Sequence, residues 1–227
     1  RAGSMRREGR FPWSKKGVRG PMDGCGVMHQ ERIAGLILAA GRSSRMGGFK
    51  PLLDLGGRTV LETLVETYRA AGLRDLLVVL GHRADEVEPL LAARSVPWVV
   101  NDRPDRGMFS SIQTGVRCLP ADCSAFFLQP ADIPLIRPET LKSLWSAWRE
   151  TPAMIVYPCH GGRRGHPPLI STSLIPAIGA FDGTGGMRAF LSPHRDNAVH
   201  VDVDDPGIHI DLDTPDAYAA IKKGESP

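Results

Sequence analysis

The chain has 227 residues, of which 42% are hydrophobic and 23% are charged, as in an ordinary globular protein. Its formal charge of +3 comes from the amino terminus: residues 1–33 carry eight Lys and Arg against three acids, which leaves −2 for residues 34–227. This distribution argues against a nucleic-acid groove. No apolar run approaches the length of about 20 residues needed for a membrane span.

Residues 1–31 are interpreted as a basic leader, partly derived from cloning and disordered, because they lack the apolar core of a secretory signal. Residues 32–227 are predicted to form a single domain. The cysteines show no Cys-x-x-Cys pairing, so reduced thiols and a cytoplasmic location are expected. They are Cys25, Cys118, Cys123 and Cys159.

Short apolar runs alternate with helical patterns from Ile33 to Tyr157. Thr59 and Glu62 have capping-box spacing at the start of the first helix, and Pro138 begins a later one. Strands are predicted at 33–39, 76–80, 96–100, 125–128 and 154–157, and helices at 59–71, 84–93, 110–118 and 138–150. Two late strands, 198–203 and 208–212, precede a helix after Thr214.

This alternation predicts an α/β protein, with a Rossmann-like three-layer α/β/α arrangement and a mostly parallel sheet. Ligands of such sheets bind beyond the carboxyl ends of the strands. The segments that directly follow the strands are therefore the ones to search for chemistry.

The loop after the first strand is rich in glycine and cations. Gly41, Gly47 and Gly48 allow the backbone to approach a ligand closely, and Arg42, Arg45 and Lys50 add positive charge suited to a triphosphate. The alternative is a glycine turn with solvated charges. Neither a P-loop nor a dinucleotide-binding fingerprint is present.

This loop resembles the signature L-x-[AG]-G-x-S-x-R-M-G-x-x-K of the molybdenum cofactor nucleotidyltransferases, the MobA-like NTP transferases. The matching residues are Leu38, Ala40, Gly41, Ser43, Arg45, Met46, Gly47 and Lys50. The resemblance extends from about Ile33 to Tyr218. It implies an enzyme that transfers an NMP unit from an NTP to a phosphorylated acceptor and releases pyrophosphate.

The resemblance also implies roles for the loop residues. The backbone of Leu38, Ala39, Ala40 and Gly41 would lie against base and sugar, and Ser43 would contribute a hydroxyl hydrogen bond. Arg45 and Lys50 would hold the β- and γ-phosphates, Arg45 by bidentate contact and Lys50 as a point charge.

Two acidic segments resemble the metal-binding motifs of the family. Asp132 follows the strand 125–128 in Gln-Pro-Ala-Asp-Ile-Pro and is assigned as the main Mg²⁺ ligand, although a turn-forming Asp is the alternative. Asp211 and Asp213 lie in Asp-Leu-Asp-Thr-Pro. On a strand both would point to one face; Asp211 is preferred as the second ligand, because Asp213 can instead stabilise the following helix. We assign catalysis to Arg45, Lys50 and Asp132.

Further positions concern the nucleotide and the acceptor. Asn101 and Ser110 resemble residues of the family at the nucleotide cleft. His166, in Gly-His-Pro, resembles the acceptor pocket of molybdenum cofactor cytidylyltransferases, with a loop histidine as the alternative. Arg188 matches a Gly-Asp-x-Gly-Ala-Arg segment, in which Thr184 and Met187 depart from the pattern.

The Ala40 methyl group leaves less room beside the base than the glycine usual in guanylyltransferases, so CTP is favoured. Molybdopterin is the leading acceptor, and a molybdoenzyme is a possible protein partner. Guanylyl transfer and a sugar-phosphate acceptor are the alternatives within the enzyme class. A nucleotide-binding regulator without turnover is the alternative from another class.

Overall fold

A computed structural model describes residues 32–42 and 48–222 of the chain. Its strands are β1 (Arg32–Ala39), β2 (Asp75–Leu80), β3 (Trp98–Val100), β4 (Cys123–Pro130), β5 (Ile155–His160), β6 (Arg163–Arg164), β7 (Leu169–Ser171) and β8 (Ala198–Asp202). Its α-helices are α1 (Val60–Ala70), α2 (Ala84–Ala93), α3 (Met108–Val116), α4 (Pro138–Glu150), α5 (Ile175–Ala180), α6 (Gly186–Leu191) and α7 (Pro215–Lys222).

These strands form one sheet in the order β3-β2-β1-β4-β7-β5-β6, with β8 also paired to β5. Strands β1 to β4 are mutually parallel where they pair, and β8 is parallel to β5. Strand β7 runs antiparallel between β4 and β5. The predicted α/β fold with a mostly parallel sheet is therefore confirmed.

Strand β1 shows why the sheet is covered on both faces. Its residues are buried in alternation: Ile33, Ile37 and Ala39 join the core under α1, α2 and α4. Ala34, Leu36 and Leu38 join the core under α3, α5 and α6. Such burial on both faces is what the continuous apolar strand predicted.

The first helix begins as predicted. The Thr59 side chain accepts a hydrogen bond from the Glu62 N–H, and the Glu62 carboxylate accepts one from the Thr59 N–H, which completes a capping box. Tyr68, on the buried face of α1, packs on β1 at Gly35. A Cβ atom there would lie 2.8 Å from the Tyr68 ring, so this contact requires glycine.

The predicted strand at 208–212 is wrong. Residues Pro206–His209 form a 3₁₀ turn instead, stabilised by a hydrogen bond from the Gly207 N–H to the Asp205 carboxylate (3.0 Å). Gly207 lies so close to the loop before α4 that a Cβ atom would fall 2.0 Å from the Leu135 carbonyl oxygen. The chain therefore packs on that loop and does not extend the sheet.

Within the described residues, Cys123 and Cys159 are buried free thiols, and Cys118 is also buried. No helix in this part of the chain is long and apolar enough to cross a membrane. The interpretation of residues 1–31 as a leader lies outside the described residues.

Candidate active site

A cavity of about 280 Å³ lies at the carboxyl ends of β1 and β4. The chain continues from β1 to β2 on one side, whereas β4 pairs with β1 on the other side, so the strand order reverses here. This is the position at which open α/β sheets bind ligands. Predicted nucleotide-binding residues that line the cavity are Leu38, Ala39, Ala40, Gly41 and Lys50.

The end of β1 forms a tightly packed wall of this cavity. Gly81, at the end of β2, approaches Ala40 so closely that a Cβ atom on Gly81 would lie 2.8 Å from the Ala40 carbonyl oxygen and 2.9 Å from its methyl group. The Ala40 methyl group is therefore in contact with the neighbouring strand as well as beside the cavity. This geometry limits how much room a change at Ala40 can open.

Lys50 lies between two carboxylates at the edge of the cavity. Its Nζ is 2.5 Å from Oδ1 of Asp213 and 4.0 Å from Oδ2 of Asp132. The Lys50 side chain is only 14% exposed, whereas those of Asp132 and Asp213 are 32% and 44% exposed. The three charges thus face one another at a half-buried site.

The Asp132 carboxyl is the group whose ionisation the site affects most clearly. Burial raises its pKa above the ordinary value, and the negative charges of Asp213 and Asp211 raise it further. The Lys50 ammonium acts in the opposite direction and lowers the pKa. A second cation near Asp132 would therefore favour its charged form.

Backbone contacts bring the two acidic segments together. The Leu212 N–H donates to the Asp132 carbonyl oxygen at 2.7 Å, which places Asp213 beside the turn after β4. The exposed Asp211 carboxylate accepts a hydrogen bond from the Asp213 N–H at 3.2 Å. Because this segment is not a strand, the argument that both carboxylates share a strand face does not apply. Asp213 is the one in direct contact with Lys50.

The described residues contain no group of three or more His, Cys, Asp or Glu side chains arranged to hold a metal ion. Magnesium commonly takes only one or two protein carboxylates and completes its shell with water and substrate phosphates. Asp132 and Asp213 offer such a pair of oxygen donors. Their chemistry fits a divalent cation such as Mg²⁺.

Asn101 and Ser110, predicted to bind nucleotide, lie in a neighbouring polar cleft of about 410 Å³. The buried Asn101 amide donates to Oγ of Ser110 at 2.8 Å and to Oγ of Ser111 at 3.0 Å. Its carbonyl oxygen accepts from the Arg103 N–H. The structure thus gives Asn101 a role in holding the start of α3.

Several residues that line the cavity were not given individual site roles from the sequence. Ser111 is buried there, one position after Ser110, and Met108 is 57% exposed at its edge. Ser110 and Ser111 are adjacent in the sequence, but the orientation of α3 places Ser111 at this cavity and Ser110 at the neighbouring cleft. The other lining residues of this kind are Pro51, Pro104, Gly107, Pro130 and Ala131.

Arg42 connects the end of β1 to the loop before α3. It forms an ion pair with Asp105, and its Nε lies 3.2 Å from Nε2 of His82. The Arg42 guanidinium is the first cause of a lowered pKa at Asp105. This contact holds two edges of the cavity together, and nothing in the sequence pattern paired these residues.

His166 lies near the carboxyl end of β4 because β7 pairs Leu169 with Phe127. The backbone N–H of His166 donates to the Ile208 carbonyl oxygen. The buried Nδ1 atom of its ring has no hydrogen-bond partner in the described part of the chain. Burial lowers the pKa of this imidazole, and His209 lowers it further. Arg188 is exposed on α6. Neither His166 nor Arg188 is among the residues lining the cavity.

Two predicted site residues, Ser43 and Arg45, lie outside the described residues. Residues 43–47 separate Arg42 from Gly48. Their assignment remains a prediction from the sequence.

The model of the MobA-like NTP transferase domain matches residues 35–199. The chain belongs to the MobA-like NTP transferase family. The matched range contains most of β1, all of β4, Lys50 and Asp132 but ends before Asp213. The domain is therefore a nucleotidyltransferase domain, and the carboxyl-terminal contribution to the site lies beyond the matched range.

Two relatives cover most of the domain. The molybdenum cofactor cytidylyltransferase of Escherichia coli is 29% identical over 180 residues, which cover 75% of this chain and 90% of that protein. The nicotine blue oxidoreductase of Paenarthrobacter nicotinovorans is 30% identical over 178 residues, covering 70% of this chain and 81% of that protein. The names of these two relatives denote different activities.

A solved structure of a nucleotidyl transferase from Methanothermobacter superposes with a TM-score of 0.72 and 26% identity, covering 85% of this chain and 97% of that one. The matches to several bifunctional curated relatives span only 22% to 25% of the length of those proteins. The segments shared with those four relatives are 97 to 124 residues long.

Proposed function

We propose that this protein is a Mg²⁺-dependent nucleotidyltransferase that transfers CMP from CTP to a phosphorylated acceptor, molybdopterin, and releases pyrophosphate. The observation that carries the proposal is the cluster of Lys50, Asp132 and Asp213 beside a cavity at the reversal of strand order. It combines oxygen donors for a divalent cation with a cation for a phosphate.

Asp132 and Asp213 would hold the Mg²⁺ ion. When bound, magnesium neutralises and orients the triphosphate. Lys50, whose short stretch of 3₁₀ helix begins at the cavity, would contact the phosphates that leave. The backbone from Ala39 to Gly41 would lie along base and sugar.

The reaction needs positioning more than a protein base. An oxygen of the acceptor phosphate, largely ionised at neutral pH, forms a bond to the α-phosphorus of the NTP. The bond between that phosphorus and the oxygen bridging to the β-phosphate breaks, and pyrophosphate leaves with the electron pair. Lys50 stabilises the charge that develops on this leaving group.

The choice of CTP and molybdopterin has three supports. The E. coli relative carries the name molybdenum cofactor cytidylyltransferase. The Ala40 methyl group reduces the space for the base at the end of β1. The buried Nδ1 of His166 is a hydrogen-bonding atom without a partner in the described residues, near the end of β4. A molybdoenzyme that receives the product is the protein partner proposed with this acceptor.

Pyrophosphate release from each of the four NTPs, with and without molybdopterin, tests the proposal. We expect release with CTP and molybdopterin together, and its loss in the Asp132→Asn variant. Release with GTP would indicate guanylyl transfer, and release only with a sugar phosphate would replace the acceptor. Nucleotide binding without release under any condition would contradict the enzyme and favour the regulator.

A further inference from the structure

Gln129 is a fully buried amide at the end of β4, directly before the turn that carries Asp132. Its Nε2 donates to the carbonyl oxygens of Pro130 and Ile133, each at 2.8 Å. Its Oε1 accepts a hydrogen bond from the Tyr68 hydroxyl at 3.3 Å. A polar group without exposure is costly unless its hydrogen bonds are made, and here both ends of the amide are used.

These partners fix the orientation of the amide. If the amide were inverted, its oxygen would face two carbonyl oxygens, which only accept hydrogen bonds. Tyr68 supplies the complementary donor, because burial raises the pKa of its hydroxyl and keeps it protonated. The Tyr68 ring is itself held by Gly35 and by an edge-on contact with Phe127, with ring centroids 5.9 Å apart.

The Gln129 contacts bracket Asp132 in the sequence. Two other hydrogen bonds fasten the same turn: the Ala131 N–H donates to the Leu38 carbonyl oxygen at 3.0 Å, and the Asp132 carbonyl oxygen accepts from the Leu212 N–H at 2.7 Å. The bond to Leu38 connects the turn to the end of β1, and the bond from Leu212 connects it to the segment that carries Asp213. Gln129 adds the tie from inside the core.

We propose that Gln129, oriented by Tyr68, is a positioning residue that sets the Asp132 carboxylate relative to Asp213 for binding of a divalent cation. The inference rests on the proposed function, because it assumes that Asp132 is a metal ligand. An apolar side chain would fill the same space without the cost of burying an amide. The amide therefore contributes the geometry of the turn.

The test measures Mn²⁺ binding by electron paramagnetic resonance in the presence of CTP without acceptor. Gln129→Met removes the amide at similar volume, and we expect the dissociation constant for Mn²⁺ to rise about tenfold, as for residues that orient metal ligands. Tyr68→Phe removes only the orienting hydroxyl, and a smaller rise in the same dissociation constant is expected. In each variant, the KM for CTP should change by a smaller factor than the dissociation constant for Mn²⁺.

Ile178→Val provides the control, since Ile178 is fully buried in the core under the opposite face of the sheet and its truncation also lowers stability. It should leave Mn²⁺ binding unchanged. A folded Gln129→Met variant with wild-type Mn²⁺ affinity would overturn the inference, as would equal weakening by Ile178→Val. If Gln129→Met does not fold, wild-type affinity in Tyr68→Phe overturns it.

The Asp132→Asn variant separates this inference from the proposed function. Loss of Mn²⁺ binding in Asp132→Asn together with wild-type binding in Gln129→Met would reject only the positioning role. Wild-type Mn²⁺ binding in Asp132→Asn would reject the metal site itself and the inference with it.

Discussion

The carboxyl ends of β1 and β4 contribute to one cavity in different ways. The β1 end offers backbone at Ala39 to Gly41 and an exposed cation, Arg42, paired with the equally exposed Asp105. The β4 end holds a single carboxylate on a turn fastened by Gln129 and by backbone bonds to both neighbouring segments. Solvent screens the exposed Arg42–Asp105 pair, so that pair contributes little energy. The position of the Asp132 carboxylate, in contrast, depends on the hydrogen bonds that hold its turn. Changes at the β4 end should therefore have the larger effects.

The largest effect is expected from Asp132→Asn. The amide keeps the shape of the carboxylate but loses the charge that a divalent cation requires. Pyrophosphate release should fall by at least about 100-fold, which corresponds to about 2.7 kcal/mol of transition-state stabilisation. Turnover within a few-fold of wild type would show that the β4 end does not carry the reaction.

The same variant should remain folded. Burial and Asp213 raise the pKa of Asp132 in the folded chain, so its ionisation opposes folding at neutral pH. Thermal unfolding of Asp132→Asn at pH 7 should occur at the wild-type temperature or above it. The advantage should disappear below the unfolded-state pKa of about 3.9, where wild-type Asp132 is protonated in both states. A lower unfolding temperature at pH 7 would contradict this sign.

Lys50→Ala should slow turnover by at least about tenfold, because the loss of the ammonium beside both carboxylates removes the contact proposed for the leaving phosphates. The variant should also change the pH dependence. Lys50 lowers the pKa of Asp132, so its removal raises that pKa, and activity should be lost at a higher pH as the medium is acidified. A pH–rate profile of kcat/KM measures the shift. An unmoved acidic limb would mean that Asp132 does not control it.

Asp213→Asn and Asp211→Asn form a matched pair on one segment. Asp213 contacts Lys50 at 2.5 Å, whereas Asp211 accepts a backbone hydrogen bond that the Asn amide oxygen can also accept. The Mg²⁺ concentration for half-maximal rate should rise about tenfold in Asp213→Asn and clearly less in Asp211→Asn. The reverse order would restore Asp211 as the second ligand.

The smallest effect is expected at the β1 end. Ala40→Gly removes a methyl group beside the base and should raise the ratio of kcat/KM for GTP over CTP by up to about tenfold. The Ala40 methyl group also packs against Gly81, which limits the room gained. Ala39→Gly serves as the control for backbone flexibility. An unchanged ratio would remove Ala40 from the choice of base.

The two strand ends also differ in how far the sequence predicted them. Lys50 and the β1 wall followed from a contiguous motif after a continuous apolar strand, and Asp132 from its place after β4. The site required contacts between distant segments, which local patterns do not encode. The Leu212–Asp132 backbone bond places Asp213 beside the turn after β4, and the 3₁₀ turn at Pro206–His209 replaces the expected strand.

The contacts of Gln129 could not be predicted from the sequence either. It stands in the segment that drew attention to Asp132, but its partner Tyr68 lies 61 positions away on α1. The Tyr68 ring lies on the buried face of that helix. Only the packing of α1 on β1 and β4 shows that its hydroxyl reaches a buried amide.

The position of the metal ion is the most direct test of whether Asp132 and Asp213 bind it. Crystals grown with CTP and Mn²⁺ would locate the ion by its anomalous scattering. We expect one Mn²⁺ bound by carboxylate oxygens of Asp132 and Asp213 at about 2.2 Å, close to octahedral ligand distances for such ions, and also bound to the triphosphate. A Mn²⁺ ion on the triphosphate that contacts neither carboxylate would contradict it.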